Sequence, residues 1–91
     1  MSEIIRSAAA GTMESSDAYV EIEPSANGIE IQLESVVKGQ FGKAIDALVR
    51  DVLSECGVTG AKVTVVDRGA LECVLRARME TAIVRGRSEG K

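Results

Sequence analysis

From Asp17 to Glu23 apolar and polar residues alternate, with Ala18, Val20 and Ile22 on one side and Tyr19, Glu21 and Glu23 on the other. A period of two is the signature of a half-buried strand. Pro24 ends the run, and Pro24-Ser25-Ala26-Asn27-Gly28 reads as a turn in which Asn-Gly takes positive φ at little cost. A second alternating run follows, with Ile29, Ile31 and Leu33 inward and Glu30, Gln32 and Glu34 outward, and the two runs are expected to pair as an antiparallel hairpin. The period then changes. Phe41, Ala44, Ile45, Leu48, Val49, Val52, Leu53 and Cys56 recur at steps of three and four, which predicts an amphipathic helix with Ser35 as its N-cap. Lys43, Asp46, Arg50, Asp51 and Glu55 fall on its other face, with Asp46 and Arg50 at the favourable i,i+4 spacing. Gly39 and Gly42 weaken its start, and Gly57 with Val58 forms a C-terminal stop signal.

Residues 60–67, Gly-Ala-Lys-Val-Thr-Val-Val-Asp, predict a third strand, parallel to the second because a helical crossover joins them. Asp67 is placed to cap a second helix that carries Leu71, Val74, Leu75, Met79, Ala82 and Ile83 on one stripe and pairs Glu72 with Arg76 outside. Arg78 borders the stripe, while Arg85 and Arg87 suit the negative end of the helix dipole. Residues 1–16 lack sustained periodicity and read as a flexible arm, with a short helix over 3–10 as an option, and residues 88–91 should fray. The expected fold is α+β, a two-layer sandwich of ββαβα order, with a small three-stranded sheet and both helices on one face. Residues 17–87 form its folded domain.

Composition narrows the function classes. At 91 residues the chain forms one domain and buries only ~60% of its unfolded surface. One Phe, one Tyr and no Trp leave nothing to stack on bases, and a net charge of -3 gives no attraction to phosphate backbones or anionic lipid, so neither nucleic acid nor membrane is an expected partner. No run has the length of a signal peptide or a membrane span, and the cytoplasm is the default location. The absence of histidine removes the commonest general base and zinc ligand. Cys56 and Cys73 form no CxxC pair and read as core residues with free thiols.

One stretch offers chemistry of another kind. Residues 11–17, Gly-Thr-Met-Glu-Ser-Ser-Asp, have no apolar face to bury and side chains that compete for the backbone, so a surface loop is expected in front of the first alternating strand. Ser15 at its centre would present an accessible hydroxyl suited to covalent attachment. Glu14 and Asp17 flank it, but with no histidine or metal-ligand cluster to position them they read as loop-shaping or recognition groups rather than an acid/base pair. Arg76, Arg78, Arg85 and Arg87 could make a docking face for partners or for a negatively charged group attached to the chain, although a solvated helix surface is the simpler reading.

Four separated motifs carry a resemblance in the right order: residues 11–17, Gln40-Phe41-Gly42 with Ala44-Ile45, residues 58–61 (Val-Thr-Gly-Ala), and residues 67–78 (Asp-Arg-Gly-Ala-Leu-Glu-Cys-Val-Leu-Arg-Ala-Arg). Over residues 8–85 the chain resembles the acyl carrier protein of citrate lyase, its gamma subunit. The resemblance implies a phosphoribosyl-dephospho-coenzyme A arm joined by a phosphodiester bond to the serine that follows Gly-Thr-Leu-Glu, which here is Ser15. Met13 stands where the family often has Leu, and Ser16 where a Gly is common. It further implies a non-catalytic carrier whose arm bears acetyl and citryl thioesters while citrate is cleaved to acetate and oxaloacetate. The implied partners are an acyl-transferring alpha subunit, a citryl-cleaving beta subunit and the transferase that installs the arm.

Two other readings stay open. The carrier subunit of malonate decarboxylase uses the same kind of arm, and an unmodified assembly or regulatory module would share the small α+β pattern. An ordinary phosphopantetheine carrier fits less well, since it is a helical bundle with its serine at a helix start, whereas Ser15 precedes a strand.

Overall fold

A computed structural model describes residues 3–35 and 40–87, apart from the side chains of residues 40 and 41. Their elements are β1 (Ala8–Gly11), β2 (Ala18–Pro24), β3 (Ile29–Ser35), α1 (Gln40–Glu55), β4 (Ala61–Asp67) and α2 (Glu72–Gly86). The class is α+β as expected, but the sheet has four strands in the order β1-β2-β4-β3. The additional strand is β1. Its Ala-Ala-Ala-Gly run has no alternation to announce it, yet it pairs antiparallel with β2, Ala8 opposite Ile22 and Gly11 opposite Tyr19. A helix over 3–10 does not form. Residues before β1 are also tied down, because Gly86 of α2 accepts from the Ile5 and Arg6 amides and Glu3 accepts from the Thr59 hydroxyl.

The expected hairpin between β2 and β3 is likewise corrected: β4 lies between them, antiparallel to β2 and parallel to β3. The parallel crossover through α1 is as predicted. Charge accounts for the insertion. Pairing β2 directly with β3 would set Glu21 and Glu23 beside Glu30 and Glu34 on one face, and like charges on adjacent strands repel. With β4 in the centre, Lys62 is opposite both Glu23 and Glu30, and Thr64 is opposite both Glu21 and Gln32. Of β2, β3 and β4, only β4 has no carboxylate before its last residue, which suits its place between the other two.

The register aligns Ala18, Val20 and Ile22 with Ala61, Val63, Val65 and Asp67 on one face, and this face is buried. Over it α2 packs against β1 and β2, and α1 packs against α2 and β3. Leu48, Val49, Val52 and Leu53 of α1 meet Leu75, Met79, Ala82 and Ile83 of α2 in one core. The predicted stripe of α1 is deepest from Leu48 onward, Ile45 and Cys56 are half-buried, and Ala44 is exposed. Phe41's side chain, Gly39 and the expected frayed tail at 88–91 lie outside the described residues.

The helix ends are only partly as predicted. Gly57 has φ +75°, its N–H donates to the Ser54 carbonyl, and the Val58 N–H donates to the Leu53 carbonyl, a Schellman stop that seats Val58 in the core. Ser35 ends β3 and its hydroxyl donates to Asp67, while the residues that would join it to α1 as a cap lie outside the described residues. Asp67 caps a loop instead of α2: its Oδ1 accepts from the Gly69 and Ala70 amides, and α2 starts after Leu71 without a side-chain cap. Leu71 is 70% exposed, so the apolar stripe of α2 begins later than expected. Asp46 pairs with Arg50 as predicted, but Arg76 reaches Glu55 of α1 and Glu80 rather than Glu72. Cys73 is exposed and takes no part in the core.

Candidate attachment site

Ser15 lies at the tip of the connection between β1 and β2. Three consecutive local features build that tip. The Asp17 N–H donates to the Glu14 carbonyl at 3.2 Å, closing a four-residue turn in which Ser16, at the third position, has φ +67°. Positive φ at that position, but not at Ser15 before it, identifies a type II turn. The Ser16 N–H then donates to the Arg68 carbonyl (2.8 Å), while the Arg68 N–H donates to the Asp17 carbonyl (2.9 Å), so two residues of one strand face one residue of the other. This is a G1 bulge with Ser16 in the position that normally demands glycine.

The turn places Ser15 at its leading corner. Ser15 is exposed and makes no hydrogen bond to any described residue, whereas the backbone on its C-terminal side is fixed to the β4–α2 loop through Arg68. Glycine would take this conformation freely, whereas a left-handed backbone costs a side-chain-bearing residue roughly 1 kcal/mol or more. Ser16→Gly should therefore raise stability by roughly 0.5 kcal/mol, part of the relief being offset by the greater freedom of glycine in the unfolded chain. A urea midpoint that falls instead would contradict the bulge assignment.

Asp17 organises the base of the loop. Its Oδ2 accepts from the Thr12 hydroxyl (2.7 Å), its Oδ1 accepts from the Ala18 N–H (2.7 Å), and the Arg78 guanidinium donates to both oxygens at 3.0 Å. Thr12 Oγ1 in turn accepts from the Glu14 N–H. Asp17 thus acts as the loop-shaping group expected of it, and the Asp17 and Arg78 side chains, 14% and 38% exposed, clamp the loop onto α2. Gly11 makes room for this clamp. A Cβ there would lie 1.8 Å from the Ala18 carbonyl oxygen and 3.1 Å from Arg78 Cδ.

The Arg78 guanidinium, followed by the Thr12 hydroxyl and the Ala18 amide, holds the Asp17 carboxyl well below the usual carboxylate range. The folded state therefore binds a proton less readily than the unfolded chain. Its contribution to stability is complete above the ordinary value of about 4 and declines as pH falls below it. Asp17→Asn should be less stable than the parent near neutral pH and should lose less stability between pH 6 and pH 3. Equal losses in the two proteins on urea titration would show that the clamp is energetically idle.

Of the residues singled out from the sequence, Ser15, Glu14 and Asp17 do share one loop, with Glu14 exposed and Asp17 bonded to Thr12, Ala18 and Arg78. The arginines of α2 are engaged within the chain: Arg76 with Glu55, Arg78 with Asp17, Arg85 with the Ala9 carbonyl and Arg87 with the Cys56 carbonyl. Arg68 is the residue sequence reasoning missed. It stands in a motif quoted for resemblance, but only the tertiary pairing brings it beside Ser15. A cavity of about 330 Å³ between α1 and the start of α2 is lined by residues including Ile45, Leu48, Ala70, Leu71 and Leu75, and no residue of 12–17 lines it. The chemistry available at Ser15 is therefore that of an open hydroxyl on a fixed corner, accessible to a modifying enzyme and with room for a large group.

The acyl carrier family model described as malonate decarboxylase delta subunit (MdcD) matches residues 5–86. Citrate lyase acyl carrier protein 2 of Salmonella typhimurium is 54% identical over 83 residues, which cover 90% of this chain and 86% of that protein. Citrate lyase acyl carrier protein of Escherichia fergusonii is 54% identical over 84 residues, covering 91% and 87%. That of Rhodopseudomonas palustris is 49% identical over 86 residues, covering 94% and 89%. Among solved structures, a chain of a Pseudomonas malonate decarboxylase hetero-tetramer in complex with malonate aligns with a TM-score of 0.75 at 25% identity, over 88% of this chain and 82% of that one. Identity near one half across nearly the whole length goes far beyond a shared fold, and the chain belongs to the citrate lyase acyl carrier protein family.

Proposed function

We propose that the chain serves citrate lyase as its acyl carrier subunit, catalysing no step itself, with Ser15 as the attachment point of a phosphoribosyl-dephospho-coenzyme A arm. The observation that carries this reading is the exposed, unbonded hydroxyl of Ser15 on the bulge-fixed corner, within the Gly11-Thr12-Met13-Glu14-Ser15 motif. Residues 12–17 are then the attachment loop of a carrier domain that extends to residue 87. When bound, the arm supplies the thiol that carries the acyl group, so neither Cys56 nor Cys73 is needed for chemistry.

The chain's own residues do three things. Ser15 contributes the hydroxyl oxygen of the phosphodiester, with nothing in the described structure to displace from it. The type II turn and bulge hold that oxygen at the surface, and the Asp17–Arg78 clamp ties the loop to the core of the domain. Fixing one end of a tether raises the effective concentration of its cargo at every active site it can reach. The alpha and beta subunits of the lyase are the proposed destinations, and the transferase that attaches the arm is the third partner. None of the described helices is long and apolar enough to cross a membrane; the cytoplasm is the proposed setting.

A second reading, the carrier of malonate decarboxylase, draws on the description of the matching family model and on the Pseudomonas structure. The complex isolated with this chain from its native host should consume citrate and release oxaloacetate. Consumption of malonate without citrate would transfer the assignment to the decarboxylase.

A further inference from the structure

We propose that Arg68 is the arm's phosphate-binding residue on this chain, its guanidinium engaging the phosphate oxygens next to Ser15. The inference rests on Ser15 being the attachment point. Arg68 is the residue opposite the bulge, with its carbonyl 2.8 Å from the Ser16 N–H and its N–H 2.9 Å from the Asp17 carbonyl. Its backbone is thus fixed one residue from the attachment hydroxyl. The following residues are fixed too, since buried Asp67 accepts from the Gly69 and Ala70 amides and from the Ser35 hydroxyl. The loop that presents Arg68 is accordingly held from both ends of the residue.

Charge accounting selects Arg68 among the described arginines; of the described lysines, Lys62 lies within β4 opposite Glu23 and Glu30, and Lys43 lies on α1. Arg50, Arg76 and Arg78 are in ion pairs, and Arg85 and Arg87 donate to backbone carbonyls. The Arg68 side chain is exposed and has no partner among the described residues. Arg78, the other cation beside the loop, already gives Nε and Nη2 to Asp17. A phosphodiester on Ser15 adds a negative charge next to Glu14, whose carboxylate is exposed and has no cationic partner among the described residues. The unpaired guanidinium carried on this fixed backbone is the cation available to offset the charge, and its planar fork of donors matches two phosphate oxygens. Arg6 is equally exposed and without a side-chain partner, but it precedes β1, at the opposite end of that strand from the loop. It is the natural control for a loss of one positive charge.

The test uses the armed full-length chain as wild type, Arg68→Gln and Arg6→Gln, each with the adduct on Ser15 verified by peptide mass, and reads the 31P resonances. The reference is the same arm on the isolated peptide covering residues 11–17. In wild type the phosphodiester resonance should differ from the peptide's; Arg68→Gln should move it to the peptide position, and Arg6→Gln should leave it unmoved. Raising salt on the wild-type protein should move it the same way as Arg68→Gln, which provides a readout even where the modifying enzyme fails to arm that variant. A wild-type resonance already at the peptide position, insensitivity to Arg68→Gln or to salt, or an equal shift in Arg6→Gln overturns the role of Arg68. An adduct absent from Ser15 in wild type instead overturns the attachment assignment itself.

Discussion

Ser15→Ala will leave the fold intact and abolish citrate cleavage by the assembled complex. The side chain is exposed and unbonded within the described structure, so its removal takes nothing from the core, and surface changes of this kind stay within about 0.5 kcal/mol. On the proposed attachment the loss of function is complete because the phosphodiester requires that oxygen, and the nearby Thr12 hydroxyl is held by Asp17 at the base of the loop. Thermal unfolding and the mass of the chain co-produced with its modifying enzyme check the two halves separately. Ser16→Ala is the companion. It keeps the side-chain-bearing residue at φ +67° and the N–H that bonds Arg68, so the variant should be armed and active. An active, armed Ser15→Ala protein would move the attachment to Ser16.

Gly11→Ala will be among the most destabilising single changes in the chain. Gly11 has φ +96°, and a Cβ there would sit 1.8 Å from the Ala18 carbonyl oxygen, a backbone atom that cannot yield without breaking the β1–β2 ladder. Left-handed strain and overpacking together cost roughly 3 kcal/mol or more. For a domain of this size that is a fall in Tm of roughly 15 °C. The damage reaches function through structure: separating Gly11 from Ala18 also pulls Thr12 and Asp17 out of register with Arg78. Gly69→Ala is the contrast, since its φ is also positive at +92° but nothing lies within 4 Å of the added Cβ. It should suffer the backbone strain without the collision. Similar losses in both variants would mean that the close approach at Gly11 is relaxed in solution.

The parts of this fold that were legible in the sequence are those where one face of an element meets the core and the other meets water. β2, β3, β4, α1 and the Schellman stop at Gly57 all follow from period and from single residues with one physical use. β1 was not legible because its alanines fit either layer, and its strand state comes from the exposed edge of β2 rather than from its own composition. The order of strands was hidden for a related reason. Alternation says which face a residue takes but not which neighbour it has, and the preference for Lys62 between Glu23 and Glu30 emerges only when all three strands are aligned.

The same division runs through the candidate site. A loop with Ser15 at its tip was readable from residues 11–17, all polar or small except Met13. The devices that fix the loop were not, because Asp17 and Arg78 are 61 positions apart and Arg68 acts through its backbone. Asp67 shows the limit from the other side. An acidic residue before a helical stripe reads as an N-cap, yet burial against Ser35 and two loop amides uses its oxygens before the helix begins.

The central claim is tested most directly by the intact mass of the chain purified from its native host while it consumes citrate, with fragmentation of the peptide that contains Ser15 and Ser16. One adduct of phosphoribosyl-dephospho-coenzyme A size, located on Ser15, is the expected result. An unmodified mass under those conditions would contradict it and leave the chain as an assembly module that retains the family's sequence without its arm.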